Sequence, residues 1–309
     1  MISPAPFPRG AMSDLCWRAV AALVFGALAG ALFGAFAVAI RFGLSRGVPV
    51  EIGALVTAIV GLLVVAAIAL ASGSFAGGIA LRDVLVFAAI GAGVPGLSQI
   101  AFTQAVRHAG AARTAVLIGV APLLSFALAA IFLGEGLNGG LVAGAALIVV
   151  ACASLSFDRR RPEGYRAVGA LLAVLCAGLF AVRDNLIRWA SGSATLDPVL
   201  RTVVSLAAAA LVLVAWAVLT RRRRPPLRLR AAIGPFVPAG LCLGAAYLCV
   251  IVALDRGRVT VVAPLNATQS LWGVIFAAAF MGRREAIGPR LLATAVLVVA
   301  GGVLIGVSR

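Results

Sequence analysis

Ten long apolar runs, each ended by Arg, Gly, Pro or Asp, occupy nearly the whole chain: 17–40, 51–72, 84–106, 112–133, 139–157, 165–189, 198–220, 232–254, 259–281 and 287–307. Each comes close to the roughly 20 residues a helix needs to cross the hydrocarbon of a bilayer. Short segments of alternating hydrophobicity, the mark of a membrane barrel, are missing. Bare backbone in hydrocarbon has no water to bond, so the runs are expected to be helices. The stretch from Cys16 to Ile40, with Arg9 ahead of it, resembles a secretion signal. It exceeds the roughly 7–15 apolar residues of such a signal, and it recurs later in the chain, so it is expected to be a retained span.

The recurrence runs through the whole sequence. WRAVAALVFGALAG at 17–30 aligns with YRAVGALLAVLCAG at 165–178, seven of fourteen positions being identical at a shift of 148. IFLG at 131–134 meets AFMG at 279–282 at the same shift, and LVAGAALIVV at 141–150 meets LLATAVLVVA at 291–300 at a shift of 150, the difference absorbed by Arg283 and Arg284. Three blocks in register point to a duplicated unit, 1–157 and 158–309. Five spans per unit is an odd number, so the second unit enters the bilayer upside down. The expected fold is therefore an all-α polytopic membrane protein of ten transmembrane helices in two inverted five-helix repeats, the plan of secondary transporters.

Composition agrees. Of 309 residues 63% are apolar and 12% charged, with a mean hydropathy of +1.13, against about 25% charged in soluble domains. The net charge of +16 comes from 26 basic residues, all of them Arg. They gather at the edges of the runs, as markers of topology rather than a nucleic-acid footprint, so no nucleic-acid partner is expected. Connections after odd-numbered spans hold 17 arginines and the opposite side 8, with Arg183 inside a span. The positive-inside rule then places both termini outside the cytoplasm, in a bacterial inner membrane. Cys16, Cys152, Cys176, Cys242 and Cys249 lie in or beside apolar runs without ligand spacing and read as small core residues. No nucleotide, hydrolase or metal motif occurs, so neither cofactor nor metal nor enzymatic chemistry is expected.

Certain local sequences carry a resemblance: Phe33-Gly34-Ala35-Phe36 closing span one, Ala121-Pro122-Leu123 inside span four, and Phe132-Leu133-Gly134-Glu135 ending it. In this order, within ten spans, they are similar to the EamA family of the drug/metabolite transporter superfamily, over essentially the full chain. The chain departs from the pattern in Phe33 where the family often has Trp, in Ser270 opposite Pro122, and in the expanded turn Met281-Gly282-Arg283-Arg284-Glu285. It also lacks the acidic residue that related small multidrug resistance proteins carry in span one. The resemblance implies movement of small metabolites, often amino acids, through a cavity between the halves.

Polar groups deep in a span are costly and mark function. Span nine holds Asn266, Thr268, Gln269 and Ser270 after Pro264, and Asn266, Gln269, Ser270 and Gly273 share one stripe by helical spacing. They suit a cavity wall facing a polar solute, or hydrogen bonds between helices. Span three offers Pro95, Ser98, Gln99 and Thr103, and Tyr247 stands among small residues in its repeat-mate, span eight, as a solute contact or an interfacial anchor. Span four contributes Thr114, Pro122 and Ser125 more weakly. Arg183 and Asp184 lie toward the far end of span six, where Asp184 can pair with Arg188 as a snorkelling helix end, or Arg183 can take a substrate carboxylate and Asp184 a coupling proton. His108 and the acids Glu51, Asp83, Glu135, Asp197, Asp255 and Glu285 sit at span ends, where charges are ordinary. Gly26 and Gly30 form a close-packing GxxxG. The reading is a secondary transporter exporting small polar metabolites by alternating access, with substrate-binding residues Asn266, Gln269, Ser270, Gln99, Thr103, Tyr247 and Arg183 and possible proton coupling at Asp184. A small-molecule substrate and the lipid bilayer are its partners; a non-transporting scaffold or sensor, or a lipid-modifying membrane enzyme, are the alternatives.

Overall fold

The computed structural model describes residues 9–133, 139–156, 162, 164–220 and 229–307. Among these residues every regular element is helical. Span one is α1 (Arg9–Ser45) and span two α2 (Val50–Ala71). Span three is split into α3 (Leu81–Gly91), a π-helical segment Ala92–Leu97, and α4 (Ser98–Ala109). Span four is split into α5 (Ala111–Ile118) and α6 (Ala121–Leu133), and span five is α7 (Gly139–Ser156). The second half runs α8 (Ala167–Ser191), α9 (Pro198–Thr220), α10 (Leu229–Arg256), the broken pair α11 (Val259–Ala267) and α12 (Gln269–Met281), and α13 (Pro289–Val307). Helix occupies each of the ten expected spans. Among the described residues nine are long and apolar enough to cross a membrane and span five carries the shorter apolar stretch Val142–Ser154, so the chain is a multi-pass membrane protein. Gly134, Glu135 and the arginines at 159–161 and 221–228 lie outside the described residues.

The halves interlock rather than stand side by side. α1 packs along α10, and its repeat-mate α8 packs along α4; α2 lies against α9, α7 against α13, and α5 against α12. Each span thus finds its partner at the mirrored place in the other repeat. The same order holds at the helix ends. Arg41, ending α1, donates to the carbonyl of Arg107 at the end of α4 at 3.1 Å. Arg188, near the end of α8, donates to the carbonyl of Leu254 at the end of α10, also at 3.1 Å.

Three spans are discontinuous, each for a local reason. At Val94 the backbone leaves the helical region (φ −138°, ψ 114°) before Pro95, which has no N–H to continue the ladder. Span four breaks around Gly119, one turn ahead of its proline, and Pro122 sits in the opening turn of α6, where its missing N–H leaves no intrahelical bond unmade. Span nine breaks at Thr268, and Val120 plus the 148-residue shift is also 268. The helix runs unbroken through Pro264, so the proline is not itself the break. Span eight stays continuous through Pro235 and Pro238.

The breaks of spans four and nine meet beneath α1. Ser270 Oγ, opening α12, donates to the Ala115 carbonyl of α5 at 3.2 Å. A Cβ on Gly30 would fall 2.7 Å from the Leu265 carbonyl and against Thr268, and one on Gly34 2.7 Å from the Gly273 nitrogen. Only glycine allows so close a backbone approach, which extends the expected Gly26/Gly30 contact by another turn.

Candidate functional site

Arg183 and Asp184 lie side by side on α8, eight and seven residues before its end at Ser191, about 10–12 Å along the axis. Both are enclosed, at 2% and 5% exposure. Their pairing is internal: Arg183 Nε and Nη2 reach Asp184 Oδ1 at 2.8 and 2.7 Å. Three rings surround the guanidinium, Phe180 at 4.9 Å from the ring centre, Tyr247 at 5.5 Å and Phe33 at 5.6 Å. A planar, weakly hydrated cation stacks on aromatic faces where an ammonium would demand water. Phe102 extends the aromatic layer, stacked on Phe36 at 4.9 Å.

This corrects the reading of span six as a snorkelling helix end. Asp184 does not pair with Arg188, which serves the α10 carbonyls instead. Nor is Asp184 exposed, at 5% on a helix packed against α4, α5, α6 and α10.

Tyr247 is wholly buried and donates its hydroxyl to the Val94 carbonyl at 2.7 Å, with the Ser205 side chain beside it. It is therefore no interfacial anchor. The unbroken span eight satisfies a carbonyl set free by the break in its repeat-mate, while the Tyr247 ring faces Arg183. Gln99, 148 residues earlier, occupies the equivalent place in span three; its Nε2 is buried with no hydrogen-bond partner.

The expected stripe of span nine faces the protein. Asn266, Gln269 and Ser270 are all nearly inaccessible. Their chemistry differs: Asn266 Oδ1 is buried without a partner, whereas Ser270 is engaged by Ala115. Thr103 bonds back to the Gln99 carbonyl at 2.8 Å and Thr114 to that of Gly110 at 2.6 Å, the usual use of a hydroxyl inside a helix. Asn185 reaches Ser125 of α6 at 2.6 Å. These hydroxyls are thus bound into the framework, and buried amide atoms left open sit on Gln99, Gln104 and Asn266. α1 joins the two groups, carrying Phe33 beneath Arg183 and Gly30 and Gly34 against the span-nine break.

Two polar clusters at the ends of the bundle escaped the sequence reading. At one end Glu285, read there as an ordinary span-end charge, has a wholly buried side chain. Its carboxylate takes Arg41 Nε at 3.0 Å and the Ala112 amide at 3.2 Å, capping α5. Burial pushes its carboxyl above the usual glutamate range, against the opposing pull of Arg41 and the Ala112 and Ala111 amides. His108 lies in the last turn of α4, and its carbonyl takes the Arg166 amide at 2.9 Å. At the other end Arg201 pairs with Asp255 and bonds the Leu196 carbonyl at 2.6 Å. Asp83 takes the amides of Thr195 and Leu196 at 2.8 and 3.1 Å. Burial of partners 244 and 54 residues apart leaves no mark on the local sequence.

Among the described residues no group of His, Cys, Asp and Glu could hold a metal ion. No characterised, curated protein matches the chain. A solved structure titled only as the crystal structure of a protein shares the fold, with a TM-score of 0.63 over 92% of this chain and 95% of its own at 20% identity. The profile of the EamA-like transporter family matches twice, over residues 20–157 and 167–307. With ten spans in two interlocked repeats and both repeats recognised, the chain belongs to the EamA-like transporter family of the drug/metabolite transporter superfamily.

Proposed function

We propose that this protein is an alternating-access carrier that exports small polar metabolites such as amino acids, with the Arg183–Asp184 pair as its substrate-responsive centre. One observation carries the reading: an ion pair lies inside the bundle among aromatic faces, with Arg183 Nη2 close to Asp184 but making no hydrogen bond, in a protein of a transporter family. A buried ion pair is poor value as structural glue, since apolar side chains of like volume stabilise as well. As a binding device it has a use, because a solute carboxylate can replace Asp184 at Arg183 and release Asp184 for a solute ammonium or a proton. Gln99 and Asn266 offer a donor and an acceptor to the rest of the solute. Gln269, Ser270, Thr103 and Tyr247 complete the wall, the last through its ring.

The repeats 1–157 and 158–309 would rock about this level, exposing it to one side at a time. The arginine-rich end, with Arg41 and Arg107, faces the cytoplasm of a bacterial inner membrane in this reading. The test is saturable counterflow of labelled amino acids in proteoliposomes, with and without a pH gradient. Wild type should exchange solute and Arg183→Gln should not. A normally folded wild type with no saturable flux for any amino acid would refute the substrate reading. Equal gradient dependence in wild type and Asp184→Asn would remove the proton from the mechanism.

A further inference from the structure

A cavity of about 620 Å³ opens at the Arg41 end, lined by Arg41, Ser45, Val48, Pro49, Arg107 and Met281 among others. It lies apart from the Arg183 centre. Two cationic side chains and a hydroxyl line it, while Glu285 is sealed behind Arg41 with none of its side chain exposed. Arg41 is placed between the two. Its Nε serves Glu285 and its Nη1 the Arg107 carbonyl, so among the described residues these contacts engage two of a guanidinium's five donors. The Arg41 side chain is 16% exposed.

We propose that this cavity is an oxyanion site, in which a phosphate or carboxylate is held between the Arg41 and Arg107 guanidiniums and competes with Glu285 for Arg41. Its fork geometry suits a tetrahedral or planar oxyanion taken in two bonds. The ligand draws Arg41 away from the corner where α1 is tied to α5 and the span-nine connection. The same chemistry is offered by a soluble oxyanion and by a phospholipid headgroup, since the cavity sits at a helix-end level.

The experiment titrates inorganic phosphate against purified protein in nanodiscs of phosphatidylcholine alone or with phosphatidylglycerol, reading thermal stability at constant ionic strength. Wild type should show a saturable stabilisation. Arg107→Gln should raise the half-saturating concentration about fivefold, the loss of one exposed ion pair. Glu285→Gln should lower it, because the internal competitor is gone. A phosphate effect equal in both discs marks a soluble ligand. An effect confined to phosphatidylcholine discs, replaced by an Arg107-dependent stabilisation from phosphatidylglycerol itself, marks a headgroup. Identical responses of wild type and Arg107→Gln to both ligands would overturn the proposal, and this comparison stands even if Glu285→Gln fails to fold.

Discussion

Asp184→Leu strips the counter-ion from a guanidinium that is 2% exposed. Breaking one partner of a buried pair costs about 3–5 kcal/mol, because the remaining charge is uncompensated. The three rings at 4.9–5.6 Å return part of this, about 0.5–2 kcal/mol for a cation over aromatic faces, and that attraction is already present in wild type. The full penalty is therefore expected. Replacing both partners, Arg183→Met with Asp184→Leu, removes the charge problem. Methionine fills the stem of the arginine and sets its sulfur against Phe33, Phe180 and Tyr247, worth about 0.3–1.5 kcal/mol per contact. The double variant should recover to within about 1 kcal/mol of wild type, while solute flux stays abolished. The assay pairs equilibrium unfolding in mixed micelles with proteoliposome counterflow on the same preparations. A double variant as unstable as Asp184→Leu would refute the electrostatic argument, and one that transports like wild type would refute the assignment of the pair to the solute.

Other expectations follow from single contacts. Tyr247→Phe keeps the ring over Arg183 but leaves the Val94 carbonyl unpaired, so stability should fall by about 1–2 kcal/mol with substrate KM little changed; a raised KM at unchanged stability would instead put the hydroxyl on the solute. Gly30→Val forces α1 off the Leu265 carbonyl and Thr268, and a loss of about 1–3 kcal/mol is expected; unfolding at the wild-type midpoint would refute the close approach. Glu285 carries a raised pKa in the folded protein, so its protonated form favours folding: that contribution is complete below the ordinary glutamate pKa and is lost as pH rises through the folded value. Wild type should accordingly lose stability relative to Glu285→Gln over that window in a pH series of melting temperatures, and parallel curves would argue against it. Asn266→Ala and Gln269→Ala should each weaken flux at normal expression, and two unaffected variants would move the solute away from span nine.

The fold was legible because hydrocarbon imposes one solution. Runs of about 20 apolar residues must be helices, and WRAVAALVFGALAG against YRAVGALLAVLCAG exposed the duplication that inverts the second half. The buried polar positions were legible for the same reason: an amide such as Asn266 or Gln99 is not placed in mid-span without a protein neighbour. Their neighbours were hidden, because sequence shows the cost of a polar residue but not who repays it. Asp184 at four residues from Arg188 suggested the usual helical pair, yet Arg183 is adjacent and the rings of α1 and α10 favour it there. The break of span nine falls at Thr268 rather than at Pro264, matched to Gly119 and Val120 by repeat position rather than by any shared residue. Glu285 looked like a solvated end because nothing local records that Arg41, 244 positions away, folds over it.

The two end clusters and the central pair belong to one scheme when the repeat is applied to contacts rather than letters. Arg41 and Arg188 close mirrored corners, each bridging the end of its repeat's first helix to the end of the third. At its own corner, however, Arg41 also holds an acid that caps α5, while at the opposite corner Arg201 holds Asp255 and Arg188 touches only backbone carbonyls. Each corner thus holds one ion pair, Arg41 with Glu285 and Arg201 with Asp255, in different local settings, and in the proposed alternating cycle each would hold one of the two exposures shut. Weakening one joint shifts the balance between the exposures in one direction and weakening the other reverses it. Arg41→Gln and Arg201→Gln should consequently move the inward and outward populations oppositely, as read by cysteine accessibility at the two ends. A shift of the same sign in both would break the link between the joints and the transport cycle.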